Sequence, residues 1–448
     1  MEDNTEIMFE TDPSEVQEED LNNEESARQI LSQASQPTIR GLFNDNQRGR
    51  LLLSPDFQRH FVWDQSKATK LVESVLLGIP LPVIYLAEEA GGKKTVIDGQ
   101  QRLTALFSFL SGSFPSGRIF KLGKMSLFSD LQGKRFSDLP DEWQAKIDDT
   151  AISCVTFLRN CDPELKFNVF ERLNTGAVAL NDQELRNCIY RGPYNELLKR
   201  LAEDQCFRDV LGLSGAEKRM FDVELVLRFA AFYHKNYLDY KPSIKRFLNE
   251  DMRRWQHISS SDAQSLENAF KCAVSLAKSL FGDRAFRRFC PGTEHNRDGN
   301  WEPKKFNVSI YDVLMWTLAR KDKNLIMRNL DAIRESFIDA MTSDQDFIDA
   351  ITRSTSSTAC VNTRFRKWSD RLEAVLSGDT VQNRCFSREL KQRLFDTNPT
   401  CAICGQAISC LDDAAVDHIE QYWCGGRTIP NNARLAHRYC NCARSRLS

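Results

Sequence analysis

Cys401-Ala-Ile-Cys404, Val416-Asp417-His418-Ile419 and Asn432-Ala-Arg-Leu-Ala-His437-Arg-Tyr-Cys440-Asn441 are the stretches whose reading decides how the chain is built. Cys401, Cys404, His437 and Cys440 have the ligand types and two-residue gaps of a closed, tetrahedral structural Zn²⁺ site. Such an ion ties together the ends of a segment too small to bury a core of its own. From about Asn432 the pattern reads as a helix, with Leu435 and Tyr439 apolar four residues apart. That reading puts His437, Cys440 and Asn441 on one face at i, i+3 and i+4.

Inside the Cys/His clip stand Asp417, His418, Asn432 and Asn441, residue types suited to cutting a phosphodiester. A hard cation such as Mg²⁺ or Mn²⁺ takes oxygen ligands, which Asp417 and the Asn441 amide can offer. His418 can take a proton from water near neutral pH, while the cation stabilises the leaving oxygen and the charge building on the phosphate. Neighbouring residues of an ideal strand face opposite ways, so Asp417 and His418 serve one phosphate only at a distorted strand end. Gly425-Gly426 suits a tight return to a second strand.

From about Arg384 to Ser448 the chain resembles the HNH endonucleases of the ββα-metal type, in the subclass with a four-ligand zinc. The resemblance implies that His418 is the general base and that Asp417 and Asn441 hold the catalytic metal. It also implies that Asn432 orients the loop carrying the histidine. His437 stands where many members have Cys, and Cys442 where a basic residue is usual. A Cys/His clip by itself is more often a structural zinc module than an enzyme. The Asp-His pair, the glycine pair and both Asn residues in register favour a nuclease, with a DNA-binding module that no longer cuts as the alternative. Cys410 and Cys424 lack paired spacing and read as small buried fillers.

At 448 residues the chain has room for two to four domains. Its 41% hydrophobic and 27% charged residues are ordinary for a globular protein. The fourteen cysteines are mostly scattered, and the one tight grouping is zinc-like, which fits a reducing cytoplasm better than a secreted disulfide framework. No apolar run reaches the ~18 residues of a membrane span, and the N-terminus lacks the basic and apolar parts of a signal peptide. The formal charge of -2 is unevenly spread and does not argue against a nucleic-acid partner.

Residues 1–35 are acidic and poor in apolar side chains, and read as an arm that is largely disordered. A helix follows from about Gln65, with Ala68, Leu71, Val72, Val75 and Leu76 at helical spacing. Strands are expected over Val83-Ile-Tyr-Leu86 and Lys94-Thr-Val-Ile97, and Asp98-Gly99 turns directly into a helix beginning Gln100-Gln101-Arg102. A strand, a glycine turn and a helix with Arg in its first turn can receive a phosphate. An Asp98–Arg102 pair of purely structural purpose is the commoner outcome. Asn181 and Glu184 have capping-box spacing.

"PDFQRHFVW", "VIDGQQRLTAL" and "VFERLNTGAVALNDQELRN" together resemble the N-terminal domain of the GmrSD-type restriction endonucleases, over about residues 36–190. The resemblance implies a ParB-like (sulfiredoxin-like) α/β fold that binds or hydrolyses a nucleoside triphosphate and gates an attached nuclease. By motif, Asp98, Gln101 and Arg102 become the expected nucleotide contacts, with Arg59, Asn174 and Glu184 supporting them. There is no Gly-rich lysine loop of the P-loop kind.

Residues 191–380 read as a mainly helical spacer that helps to recognise DNA, with basic clusters in 284–305 and at Arg364-Phe-Arg366-Lys367 that default to solvated surface. Arg388, Lys391, Arg434, Arg438 and Arg444 flank the C-terminal domain, residues 381–448, and can grip a DNA backbone. The expectation is therefore an α+β multidomain protein: a nucleotide-regulated endonuclease acting on double-stranded DNA, including modified phage DNA. A homodimer or defence-system partner proteins fit that reading. The alternatives are a nucleotide-responsive DNA-binding regulator that does not cut, and an enzyme that is primarily a nucleotidase.

Overall fold

Val-, Ile- and Leu-bearing segments of the N-terminal third pair into one mixed sheet. Its strands are β1 (Ser32–Ser35), β2 (Leu51–Leu52), β3 (Ile84–Glu88), β4 (Lys94–Asp98) and β5 (Cys154–Phe157), in the order β1-β5-β3-β4-β2. The β1/β5 and β3/β4 pairs are antiparallel, and β3/β5 and β2/β4 are parallel. Helices α1 (Ile39–Gln47), α2 (Gln65–Leu76), α3 (Gln100–Ser111), α4 (Asp141–Asp149) and α5 (Asp182–Ile189) belong to the same unit, Asn22–Arg191. The computed structural model describes residues 8–9, 31–53, 63–159, 167–169, 171–172, 181–213, 220–292, 299–302, 305–378, 386–421 and 426–443.

The expected local signals are present in this unit. Asp64 caps α2 by accepting from the Lys67 N–H at 2.7 Å, and Ala68, Val72 and Val75 of that helix are buried. Asn181 and Glu184 close a reciprocal capping box on α5. Gly99 joins β4 to α3 at φ 96°, where a Cβ would lie 2.1 Å from Ile84 Cδ1; only glycine fits there. Ser32–Ser35, placed in the acidic arm by the sequence reading, is instead an edge strand of the sheet. The rest of that arm, apart from Met8–Phe9 and Leu31, lies outside the described residues.

The second unit contains Gly192–Ser448 and begins as a helical body. Its helices are α6 (Pro193–Ala202), α7 (Gln205–Leu211), α8 (Phe221–His234), α9 (Ile244–Trp255), α10 (Ser260–Phe281), α11 (Val308–Ala319), α12 (Lys323–Arg328), α13 (Leu330–Ser343), α14 (Gln345–Thr352) and α15 (Thr358–Ser377). No described helix is long and apolar enough to cross a membrane. After α16 (Arg388–Thr397) come the antiparallel pair β6 (Ala414–His418) and β7 (Ala433–His437), then α17 (Arg438–Ala443).

Of the basic cluster at 364–367, Arg366 is exposed as expected, but Arg364 is not solvated surface. Arg364 is buried on α15 and donates to Asp312 on α11 at 3.4 Å, while Arg228 of α8 grips the same carboxylate through Nε at 3.0 Å and Nη2 at 2.6 Å. Lys367 is paired with Asp344 and Asp346. Two guanidiniums on one buried carboxylate join three helices, and removing the shared anion would strand both cations away from water. Asp312→Ala is therefore expected to lower unfolding free energy by about 3–5 kcal/mol, measured by urea denaturation; a loss under about 1 kcal/mol would contradict this account.

Candidate functional site

The Cys401–Cys404 turn is built by backbone bonds: Gly405 N–H donates to Cys401 O and Cys401 N–H to Gln406 O, each at 2.9 Å. Ala402 N–H reaches across to Leu435 O of β7 at 2.8 Å, fastening the turn to the strand. That strand corrects the expected helix from Asn432. Residues 433–437 pair with 414–418, Ala414 opposite His437 and His418 opposite Ala433, and only from Arg438 does the chain turn helical. Leu435 is buried, but Tyr439 is 66% exposed, so the two do not form one apolar face. His437 thus ends a strand, and Cys440 and Asn441 sit in the helix that follows.

The ligand atoms of Cys401, Cys404, His437 and Cys440 lie within 4.8 Å of one another. His437 Nδ1 lies 3.4 Å from Cys404 Sγ and 3.9 Å from Cys440 Sγ. Its Nε2 lies 3.2 Å from Ala407 O, an acceptor that places the ring proton on Nε2 and leaves Nδ1 to ligate. Burial alone would raise the Cys401 thiol, but N–H groups of Cys404, His437 and Ile403 outweigh it and bring it down to about 6. Burial and the neighbouring Cys404 and Cys401 sulfurs push Cys440 up to about 12. Four soft and borderline donors converging in this way fit a tetrahedral Zn²⁺. Cys410, expected as a buried filler, is exposed, because it sits in the turn leading to β6 rather than in the small core of Cys401, Ile408, Ala414, Leu435 and Ala436. Cys424 lies outside the described residues.

Asp417, His418 and Asn441 border a single cavity of about 630 Å³. They are only 3%, 4% and 2% exposed. Asp417 lies opposite Arg434 in the strand register, and Arg434 donates to its Oδ2 through Nε at 2.9 Å and Nη2 at 2.6 Å. His418 is the last residue of β6, where strict alternation of faces ends. Its Nε2 lies 3.1 Å from Thr428 Oγ1, and the Phe386 ring packs on it at 4.4 Å. Asn441 Oδ1 is buried and accepts no hydrogen bond among the described residues. A buried amide oxygen in that state is costly, and an oxygen-seeking cation would satisfy it.

Asn432 organises the connection 419–432. Its Nδ2 donates to Glu420 O at 3.0 Å and Arg427 O at 2.9 Å, and its Oδ1 accepts from Glu420 N–H at 2.8 Å. Fourteen residues separate β6 from β7, and within them Gly426 N–H donates to Gln421 O at 3.1 Å. Gly426 also serves packing, because a Cβ there would lie 1.8 Å from Glu420 O. Gly425 is outside the described residues.

The basic residues expected to face DNA are mostly engaged by carboxylates. Arg438 Nε and Nη2 lie 3.1 and 3.4 Å from the two oxygens of Asp331, and Lys391 Nζ is 3.4 Å from Asp331 Oδ2. Arg334 adds a third cation at 3.1 Å. Burial would raise the Asp331 carboxyl, but Arg334, Arg438 and Lys391 hold it below the usual range. Arg388 borders the cavity, and Arg444 is outside the described residues. Nothing in the spacing of the sequence marked Asp331, Thr428 or Phe386 as neighbours of the site.

In the N-terminal unit Arg102 is turned back onto its own scaffold. Its Nη2 lies 3.1 Å from Asp98 Oδ2 and 3.3 Å from Val83 O, and Nη1 donates to Pro82 O. Burial lowers its pKa, partly offset by Asp98. Asp98 itself keeps about half of its side chain exposed, at 49%. Glu184 is buried within its capping box, and Gln101 lies in the first turn of α3. Arg59 and Asn174 are outside the described residues.

Residues 39–191 match the GmrSD restriction endonuclease, N-terminal domain. The match covers about a third of the chain and holds every residue expected to touch a nucleotide. It ends at Arg191, where the first compact unit also ends. The family is one of restriction endonucleases, so the GmrSD match points to a nuclease and to DNA as its substrate class. No curated protein matches the chain.

A metal held by the four converging donors leads to a direct test. Purified protein is expected to carry about one zinc per chain. Cys404→Ser should lose that metal and its hydrogen-exchange protection over 386–443, with protection in 31–159 unchanged. Full protection of 386–443 in the metal-free variant would rule out a structural zinc.

Proposed function

We propose that the chain is a metal-dependent DNA endonuclease of the restriction and anti-phage defence type. In this reading the C-terminal segment is an HNH (ββα-metal) nuclease, and the N-terminal unit is a ParB-like domain governing it through a nucleoside triphosphate. The observation that carries the proposal is the meeting of Asp417, His418 and Asn441 at one cavity, with the Asn441 oxygen buried and unsatisfied. The GmrSD match supports it independently, from the other end of the chain.

His418 accepts the proton of the attacking water, and its position and tilt are held by Thr428 Oγ1 at 3.1 Å and by the Phe386 ring. Asn432 keeps the connection after His418 in place through its three backbone bonds. Arg434 aims the Asp417 carboxylate. Asp417 and Asn441 would hold Mg²⁺ or Mn²⁺, which supplies Lewis-acid stabilisation of the phosphate and leaving oxygen when bound. Zn²⁺ on Cys401, Cys404, His437 and Cys440 would fix the strand-to-helix junction that presents Asn441.

The near-complete burial of His418 favours a second reading, a nucleotide-responsive DNA-binding regulator whose nuclease fold does not cut. Plasmid incubated with protein and Mg²⁺ or Mn²⁺, with and without each triphosphate, separates the two. Nicking or linearisation is expected under at least one condition, and His418→Ala should reduce it by ~10²–10⁴-fold with folding and zinc content intact. Binding without any cut under every condition would establish the regulator. In the N-terminal unit, Asp98→Ala and Arg102→Ala are expected to slow phosphate release from triphosphates by at least about ten-fold. Release at the wild-type rate would refute a nucleotide site there.

A further inference from the structure

Asp331, in the first turn of α13, is the point on which three cations converge: Arg334 from its own helix, Lys391 from α16 and Arg438 from α17. One carboxylate carries a single negative charge against three cations, of which Arg334 also meets Glu335 at 3.8 Å, and Lys391, Arg438 and Asp331 all line the cavity that holds Asp417, His418 and Asn441. Asn324, Met327 and Arg328 of α12 and Asn329 and Leu330 at the start of α13 line the same cavity. At about 630 Å³ the space has the size of a small-ligand pocket.

We propose that Asp331 is an internal stand-in for a DNA phosphate, occupying the Lys391–Arg438 pair as a latch that masks these cations until nucleic acid displaces it. The proposal rests on the nuclease reading above and assigns its regulation. A carboxylate and a phosphate oxygen make the same charge-assisted bonds to Lys and Arg, so each contact that DNA gains here is one that Asp331 gives up. The latch and a mere structural staple predict different signs. Removing the anion frees two cations for DNA, whereas removing a cation takes a DNA contact away. If the cluster only held α13 to the nuclease segment, both changes would loosen the same joint and act alike.

The test uses the full chain and a labelled duplex of about 30 base pairs, with Ca²⁺ in place of Mg²⁺ to prevent cutting, at two salt concentrations. Asp331→Asn is expected to bind roughly ten-fold tighter at low salt, with a steeper salt dependence equivalent to about one or two more phosphate contacts. Lys391→Gln and Arg438→Gln are expected to bind more weakly than wild type. Asp331→Ser serves as a second variant should the amide disturb the first turn of α13, and thermal melting checks that each protein is folded. Unchanged or weaker binding by folded Asp331 variants, or a shift of the same sign in all variants, would overturn the latch. The same proteins assayed with Mg²⁺ keep the two ideas apart. Tighter binding by Asp331→Asn without cutting by any protein, with or without each triphosphate, leaves the masking of the cations standing and removes the nuclease. Cutting by wild type with no gain from Asp331→Asn does the reverse.

Discussion

The convergence of Cys401, Cys404, His437 and Cys440 is the constraint on which the C-terminal segment depends. Its buried apolar core is small, with Ile408, Ala414, Leu435 and Ala436 beside Cys401, and such a core supplies little stability by itself. The four donors join a turn at one end of the segment to the junction of a strand and a helix at the other. Because His437 closes β7 and Cys440 lies in the first turn of α17, fixing both fixes the angle between them. Asn441 follows Cys440 directly, so its amide is presented by the same clamp. The bonds from His437 N–H to Cys401 Sγ and from Ala402 N–H to Leu435 O add to this without depending on a metal.

A second theme is the sharing of carboxylates by several cations. Asp312 deep in the helical body and Asp331 beside the cavity each collect more than one guanidinium or ammonium group. Their settings give the two clusters different consequences. Asp312 is sealed among α8, α11 and α15, where no competing anion can enter, and its contacts are structural. Asp331 borders open volume next to groups suited to phosphate chemistry, where a competing anion could take its place.

Much of this was legible in the sequence wherever the signal was local. The two-residue gaps marked the four donors, Asn181 and Glu184 announced their capping box, and the helical spacing from Gln65 gave α2. Asp98 and Arg102, four residues apart, do pair at 3.1 Å. What escaped was non-local. Residues 433–437 have the composition of a helix, with Ala, Arg and Leu, and became a strand only because 414–418 lies alongside to bond with them. Arg364 read as surface because its partner Asp312 is 52 residues away. Asp331 stands 107 residues from Arg438, a separation at which no spacing rule operates.

The pairing of β6 with β7 has a consequence for fidelity. Side chains alternate along a strand, so a slip of one position would turn each residue of the hairpin to the opposite face. In the observed register His437 stands opposite Ala414 and Asp417 opposite Arg434. A slipped hairpin would swing the His437 ring away from the three sulfurs and part Asp417 from its guanidinium in the same movement. The register that brings His437 to the three sulfurs is thus the same register that sets Asp417 against Arg434, and the convergence of the four donors proofreads the hairpin.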